Sequence, residues 1–286
     1  MKKTSILLAV VVAAGLAQAQ IASLDGSNTV GFALVTNIAN QANTIITVPF
    51  EACLGNGAAG MVSDLVSTNG LVSAGDAAHA DQLVVLTSNV TYGLIYYYYW
   101  LQAGTGWTAI STTVLMPGGT NGVVTPPAAD SFPISRGLGF WLKRYVSNSP
   151  TTVLVKGQVS NALQATEIQP GLNLIGFASP TTVTLNGSGI SWSGAYGGGG
   201  TNGNTKAMDR IALVGQNGAL SNFFYFTMPT AWLSNPTFSQ YSVLDGKWII
   251  STSTGYVEAV NVSIPAGHGF WYTRRGTNSF TFQPGL

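Results

Sequence analysis

Apolar and polar residues alternate along this chain in short runs bounded by Gly, Pro, Asn or Ser. The runs at 44–50, 82–87, 95–101, 140–145, 152–156, 211–214, 223–227, 248–251, 256–264 and 270–274 are rich in β-branched and aromatic side chains. That pattern predicts strands. Residues 30–35 predict one more, leading the series. The 35 glycines fit many tight turns between them. Helical spacing is scarce, and the best case is 61–67, where Met61, Leu65 and Val66 sit at i, i+4 and i+5. The expected fold class is all-β with little helix.

The same pattern occurs twice. Ile134-Ser135-Arg136-Gly137-Leu138-Gly139-Phe140-Trp141-Leu142-Lys143-Arg144 returns as Ile264-Pro265-Ala266-Gly267-His268-Gly269-Phe270-Trp271-Tyr272-Thr273-Arg274, an offset of 130 (264 − 134). The stretch from Asp81 returns from Asp209, an offset of 128 (209 − 81), and the stretch from Thr44 returns from Asn173, an offset of 129 (173 − 44). Three blocks in one order at nearly one offset predict tandem duplicated domains, each a β-sandwich or partly open barrel. Residues 20–160 form the first, 161–286 the second, with the junction in 157–170.

In the repeated block two glycines feed a strand. Gly137, Gly139, Gly267 and Gly269 permit positive φ or close backbone approach. Side chains then alternate faces, so Phe140 and Arg144 share one face and Trp141 takes the other; Phe270, Arg274 and Trp271 repeat the arrangement. Large apolar groups on both faces predict a central strand covered on both sides, with Phe140 and Phe270 as core anchors. The alternative is that Trp141 and Trp271 stack on sugar rings in shallow sites. Tyr96, Tyr97, Tyr98 and Tyr99 form a second aromatic run, echoed by 223–226. It predicts core on one face and an aromatic ladder on the other, an interaction surface where exposed.

The longest apolar run lies at the start. Lys2 and Lys3 precede an apolar stretch at 6–16 and a small-x-small site at Ala17-Gln18-Ala19, which together predict an export signal over 1–19. That stretch is shorter than the ~20 residues of a membrane span, so no transmembrane helix is expected after cleavage. The single cysteine, Cys53, excludes an intramolecular disulfide; burial as a small hydrophobe is its expected state. Only 7% of residues are charged, against roughly 25% in ordinary globular chains. Without Lys2 and Lys3, 9 basic side chains face 10 acidic ones. Such a chain has little field to steer nucleic acid and little self-repulsion to keep copies apart.

Candidate chemistry is sparse. His79 and His268 do not align between the copies, and Leu138 stands where the second copy has His268. No His-x-x-x-His, Cys-x-x-Cys or calcium-loop pattern occurs, so neither metal nor cofactor is expected. His79-Ala80-Asp81 is an acid/base or metal fragment that Asp209 lacks. The glycine run at 197–204 lacks the Lys-Ser/Thr ending of a phosphate loop. Asp81 and Asp209 open strands and are expected to accept from turn N–H groups. Catalysis is not expected.

The export signal, Asn28-Thr29-Val30-Gly31-Phe32, Asn173-Leu174-Ile175-Gly176-Phe177 and Gly-x-Gly-Phe-Trp together resemble a large set of uncharacterised exported bacterial β-rich proteins. The resemblance implies an exported β-rich chain and carries over no activity, ligand or catalytic residue. Three functional readings follow from the sequence. One is an extracellular structural protein whose partner is copies of itself, with unpaired strand edges available. A second is a module or adhesin binding a neutral polysaccharide. The third is an outer-membrane barrel, to which 7 Trp and 11 Tyr could supply girdles; against it stand short strands and a final Phe282-Gln283-Pro284-Gly285-Leu286.

Overall fold

The structure, a computed structural model, describes residues 20–22, 29–37, 43–50, 60–62, 71–89, 93–115, 119–145, 151–159, 165–187, 192, 194–198, 204–215 and 219–282. Residues 1–19, where an export signal is expected, Cys53 and most of the glycine run lie outside the described residues.

The first half holds β1 (Gln20–Ala22), β2 (Thr29–Asn37), β3 (Asn43–Thr47), β4 (Gly60–Met61), β5 (Gln82–Asn89), β6 (Gly93–Gln102), β7 (Gly106–Ile110), β8 (Thr112–Leu115), β9 (Asn121–Val124), β10 (Pro133–Ile134), β11 (Gly139–Lys143) and β12 (Thr151–Gln158). The second holds β13 (Thr166–Ile168), β14 (Gly171–Gly176), β15 (Val183–Thr184), β16 (Arg210–Val214), β17 (Leu220–Phe226), β18 (Lys247–Thr252), β19 (Gly255–Glu258), β20 (Ser263–Ile264), β21 (Gly269–Arg274) and β22 (Phe280–Phe282). The chain is all-β, and its named strand pairs are antiparallel.

One main sheet runs β3-β11-β5-β6-β7, the other β14-β21-β16-β17-β18-β19. The three recurring sequence blocks therefore fall on β3, β5 and β11 in one sheet and on β14, β16 and β21 in the other. Register agrees as well: Leu142 lies opposite Leu83, and Tyr272 opposite Ile211. Smaller ribbons correspond too, with β4–β10 matched by β15–β20, and β2–β12 by β13–β22. Among the described residues no sheet closes into a barrel, the closed form a strand-built membrane span requires.

Each main sheet buries one face against its own ribbon. In the first half Phe140, Leu142, Leu83, Val85, Tyr99 and Leu101 meet Val35, Val153 and Val155. In the second, Phe270, Tyr272 and Ile211 meet Ile168 and Phe282. The layering follows from strand alternation, since odd and even positions of β5, β6 and β11 go to opposite sides.

Two local expectations change, and a segment without one takes form. Met61 belongs to β4, opposite Pro133, and Val62 after it is helical, so the helix expected over 61–67 starts one residue later; 63–67 lie outside the described residues. The run 256–264 breaks into β19 and β20 because Asn261 takes a positive φ of 61°. Residues 227–246, between β17 and β18, carry a cap: α1 (Thr230–Leu233) and a 3₁₀ helix, Pro236–Leu244, whose entry is capped by the Asn235 side chain on Thr237 N.

Candidate functional site

Asp81 and Asp209 are fully buried just ahead of β5 and β16. Asp81 accepts from Val72 N at 2.9 Å and Tyr145 N at 2.7 Å, and pairs with Arg144 Nε at 2.8 Å. Asp209 accepts from Tyr196 N at 2.9 Å and Arg275 N at 2.6 Å, and pairs with Arg274 Nη1 at 2.7 Å. The partners are backbone N–H groups, but they come from segments 9 to 66 residues away rather than from a turn beside each aspartate. The Arg partners complete each site: the last residue of the repeated block returns its guanidinium to the first residue of the preceding block. The first-half run expected at 140–145 ends as strand at Lys143, where Arg144 and Tyr145 turn onto Asp81. The second site adds Tyr272, whose hydroxyl donates to Asp209 at 2.8 Å and is pushed far above its usual range by burial and the nearby carboxylate.

The glycines of the repeated block mark the junction of the halves. Gly137 and Gly267 take φ of +78° and +79°. Gly139 and Gly269 serve close approach instead. A Cβ on Gly139 would lie 2.8 Å from Ile175 N, and one on Gly269 would lie 2.5 Å from Ile45 Cγ2, each in the other half. The crossing is reciprocal: Thr47 N donates to Gly267 O at 2.8 Å, and Gly176 N donates to Gly137 O at 2.9 Å. Isolated bridges join Ile46 to His268 and Leu138 to Ile175. Each contact becomes its mate when first-half and second-half residues are exchanged, which is the self-complementary logic of a two-fold interface.

Trp141 and Trp271 face each other across this junction. Their rings meet edge to face at 5.4 Å, and Trp271 is 8% exposed. Ile45, Leu86, Leu174 and Ala212 complete the layer, with Tyr96 against its edge. The two tryptophans are thus inter-sheet packing groups rather than shallow sugar platforms. Tyr97 and Tyr99 turn inward onto Phe132, at 5.7 and 6.1 Å. Tyr98 and Trp100 lie on the outer face, half-buried; burial raises the Tyr98 hydroxyl, with Tyr96 adding to it.

The remaining ionisable fragments do not converge. His79 is exposed and turns its Nδ1 onto Asp76 at 2.7 Å, away from Asp81, and that bond holds the Asp76 carboxyl below its usual range. His268 is held down to about 4 by burial. Lys247 pairs with Glu258 at 2.7 Å. Among the described residues no group of three His, Cys, Asp or Glu could hold a metal. No described helix is long and apolar enough to cross a membrane.

The cap on the second sheet was not legible beforehand. Trp232 stacks on Phe238 at 4.3 Å and 15°, and with Tyr241 and Leu244 covers Phe226, Ile249 and Tyr256 on the outer face of β17–β19. The chain matches no protein-family model, no curated protein and no solved structure.

Proposed function

We propose that this chain is an exported, non-catalytic structural protein that assembles with copies of itself outside the cell, as the subunit of a layer, fibre or matrix. The observation that carries this reading is the hairpin β8–β9. Its strands pair only with each other in their sheet, and one face carries Leu115 at 73% and Val123 at 65% exposure beside Thr113 and Asn121. A two-stranded ribbon is marginal in water by itself, and open edges with apolar side chains invite a further strand or a covering surface. The low charge density supports the same reading, since copies repel one another weakly. So does the use of Asp81, Arg144, Asp209 and Arg274 in buried pairs rather than in a cleft.

Sedimentation of the exported chain across concentrations, with negative-stain microscopy, tests the proposal. Growth into ordered assemblies as concentration rises is the expected result. A monomer that persists at high concentration, with no ordered material on cells, overturns it.

A further inference from the structure

The two main sheets treat their outer faces unequally. Phe224 lies opposite Ile249 on the outer strands of sheet two, and the cap at 227–246 covers that face. In sheet one, Tyr99 pairs with Leu83 as Phe223 pairs with Ile211, so Trp100 stands where Phe224 does. There β6 passes into β7 through residues 103–105 alone, a turn too short to form a cap. Trp100 faces Thr108 and Tyr98 faces Ile110 across the strands, all four half-buried.

This face is continuous with an interface already described. Tyr96, two residues before Tyr98 on the same side of β6, packs at the edge of the Trp141–Trp271 layer, and its ring lies 6.4 Å from that of Tyr98. The apolar surface that joins the halves therefore continues along β6 and β7 from Tyr96 to Tyr98, Trp100 and Ile110. The cap meanwhile exposes Leu233 at 68% and Val243 at 67%, among exposed Ser, Thr, Asn and Gln residues. Its residues 228–244 contain no Asp, Glu, Lys or Arg; the one charge of the cap is the exposed Asp245, which accepts from Met228 N.

We infer that the outer face of β6–β7, centred on Tyr98 and Trp100, docks the cap of a second copy of this chain through Leu233 and Val243. The inference rests on the self-assembly reading and names its contact. In the chain's own second half the matching face is covered by the inner, aromatic side of this cap, Trp232, Tyr241 and Leu244. Face and cap lie in different halves, so the contact is head-to-tail and leaves a free face and a free cap at every step.

The test uses Trp100→Glu, which blocks the face, and Leu233→Glu, which blocks the cap, in the full exported chain. Wild-type circular dichroism and melting are the folding controls. Thr108→Glu, on the same face, replaces Trp100→Glu should the latter not fold. Each variant alone sediments as a monomer where the wild type polymerises. Mixed in equal amounts, the two form a dimer and stop, because one intact face meets one intact cap. If the variants assemble as the wild type does, this contact is wrong and self-assembly stands. If each is monomeric but the mixture forms no dimer, face and cap do not mate. Should Trp100→Glu abolish binding on a neutral-glycan array while assembly continues, the face serves a polysaccharide and the inference falls. A wild type that never assembles removes the self-assembly reading and this contact with it.

Discussion

Gly139 and Asp209 show how much of this molecule depends on single atoms. At Gly139 the volume a Cβ would need is filled by the backbone of Ile175 and Leu174, which cannot rotate away. Gly139→Ala should destabilise the chain by about 1–3 kcal/mol, the usual range for overpacking. Gly75→Ala is the control: a Cβ there meets nothing within 4 Å, and its effect should stay within about 0.5 kcal/mol. Urea unfolding of the two variants checks the pair. At Asp209 the carboxylate accepts four contacts, from Tyr196 N, Arg275 N, Tyr272 and Arg274. Asp209→Asn removes the charge and leaves the Arg274 guanidinium buried without its counter-ion, at about 3–5 kcal/mol. Tyr272→Phe removes one hydrogen bond to that carboxylate and should cost about 1.5–3 kcal/mol. Equal losses in the two variants would show that Tyr272, not the ion pair, holds the site. The sequence marked both aspartates and both arginines, because they recur at fixed places in the blocks. It did not pair them, because alternation assigns a face and says nothing of what lies across it.

At the scale of elements, the strands were legible and the segments between them were not. Short β-branched and aromatic runs identify β5, β6, β11, β16 and β21, and β21, buried at all its positions, shows no alternation at all. The cap and the hairpin β8–β9 escaped because they compensate in length. Residues 81 to 134 span 53 positions (134 − 81) and 209 to 264 span 55 (264 − 209), so the near-constant offset conceals a long hairpin in one half and a helical cap in the other. The cap also lacks a helical period, since Asn235 and Pro236 cut it into two short pieces held by ring stacking. Its stability therefore belongs to its aromatics. Trp232→Ala should release the cap locally: backbone amides at 228–246 should exchange faster by about tenfold or more while those of β16 and β21 keep their protection. Uniform loss of protection across sheet two would mean that the cap is part of the domain core.

For the whole molecule, the decisive feature is that the halves meet through a reciprocal crossing, whose symmetry breaks at Thr47 against Gly176, at Arg136 against Ala266 and at Leu138 against His268. Leu138 and His268 occupy matching places, each bridging a strand of the other half, Ile175 and Ile46. Burial holds His268 down to about 4, below the ordinary 6.5. Between those two values the unfolded chain takes up a proton that the folded chain does not, so stability falls as pH falls through that window. It is fully present above pH 6.5, and below about 4 the group is charged in both states and adds no further slope. The loss is about 1–3 kcal/mol, the upper figure being reduced by the partial solvent access of the ring. Because His268 sits at the crossing, the loss falls on the junction before either core. Calorimetry at pH 7 should therefore show both halves melting together, held by the Trp141–Trp271 layer and the two backbone bonds from Thr47 and Gly176. Near pH 4.5 the single transition should separate into two. His268→Leu gives the second half the residue the first already has at that place, and should keep one transition at both pH values. A split that persists in His268→Leu would place the acid-sensitive group elsewhere.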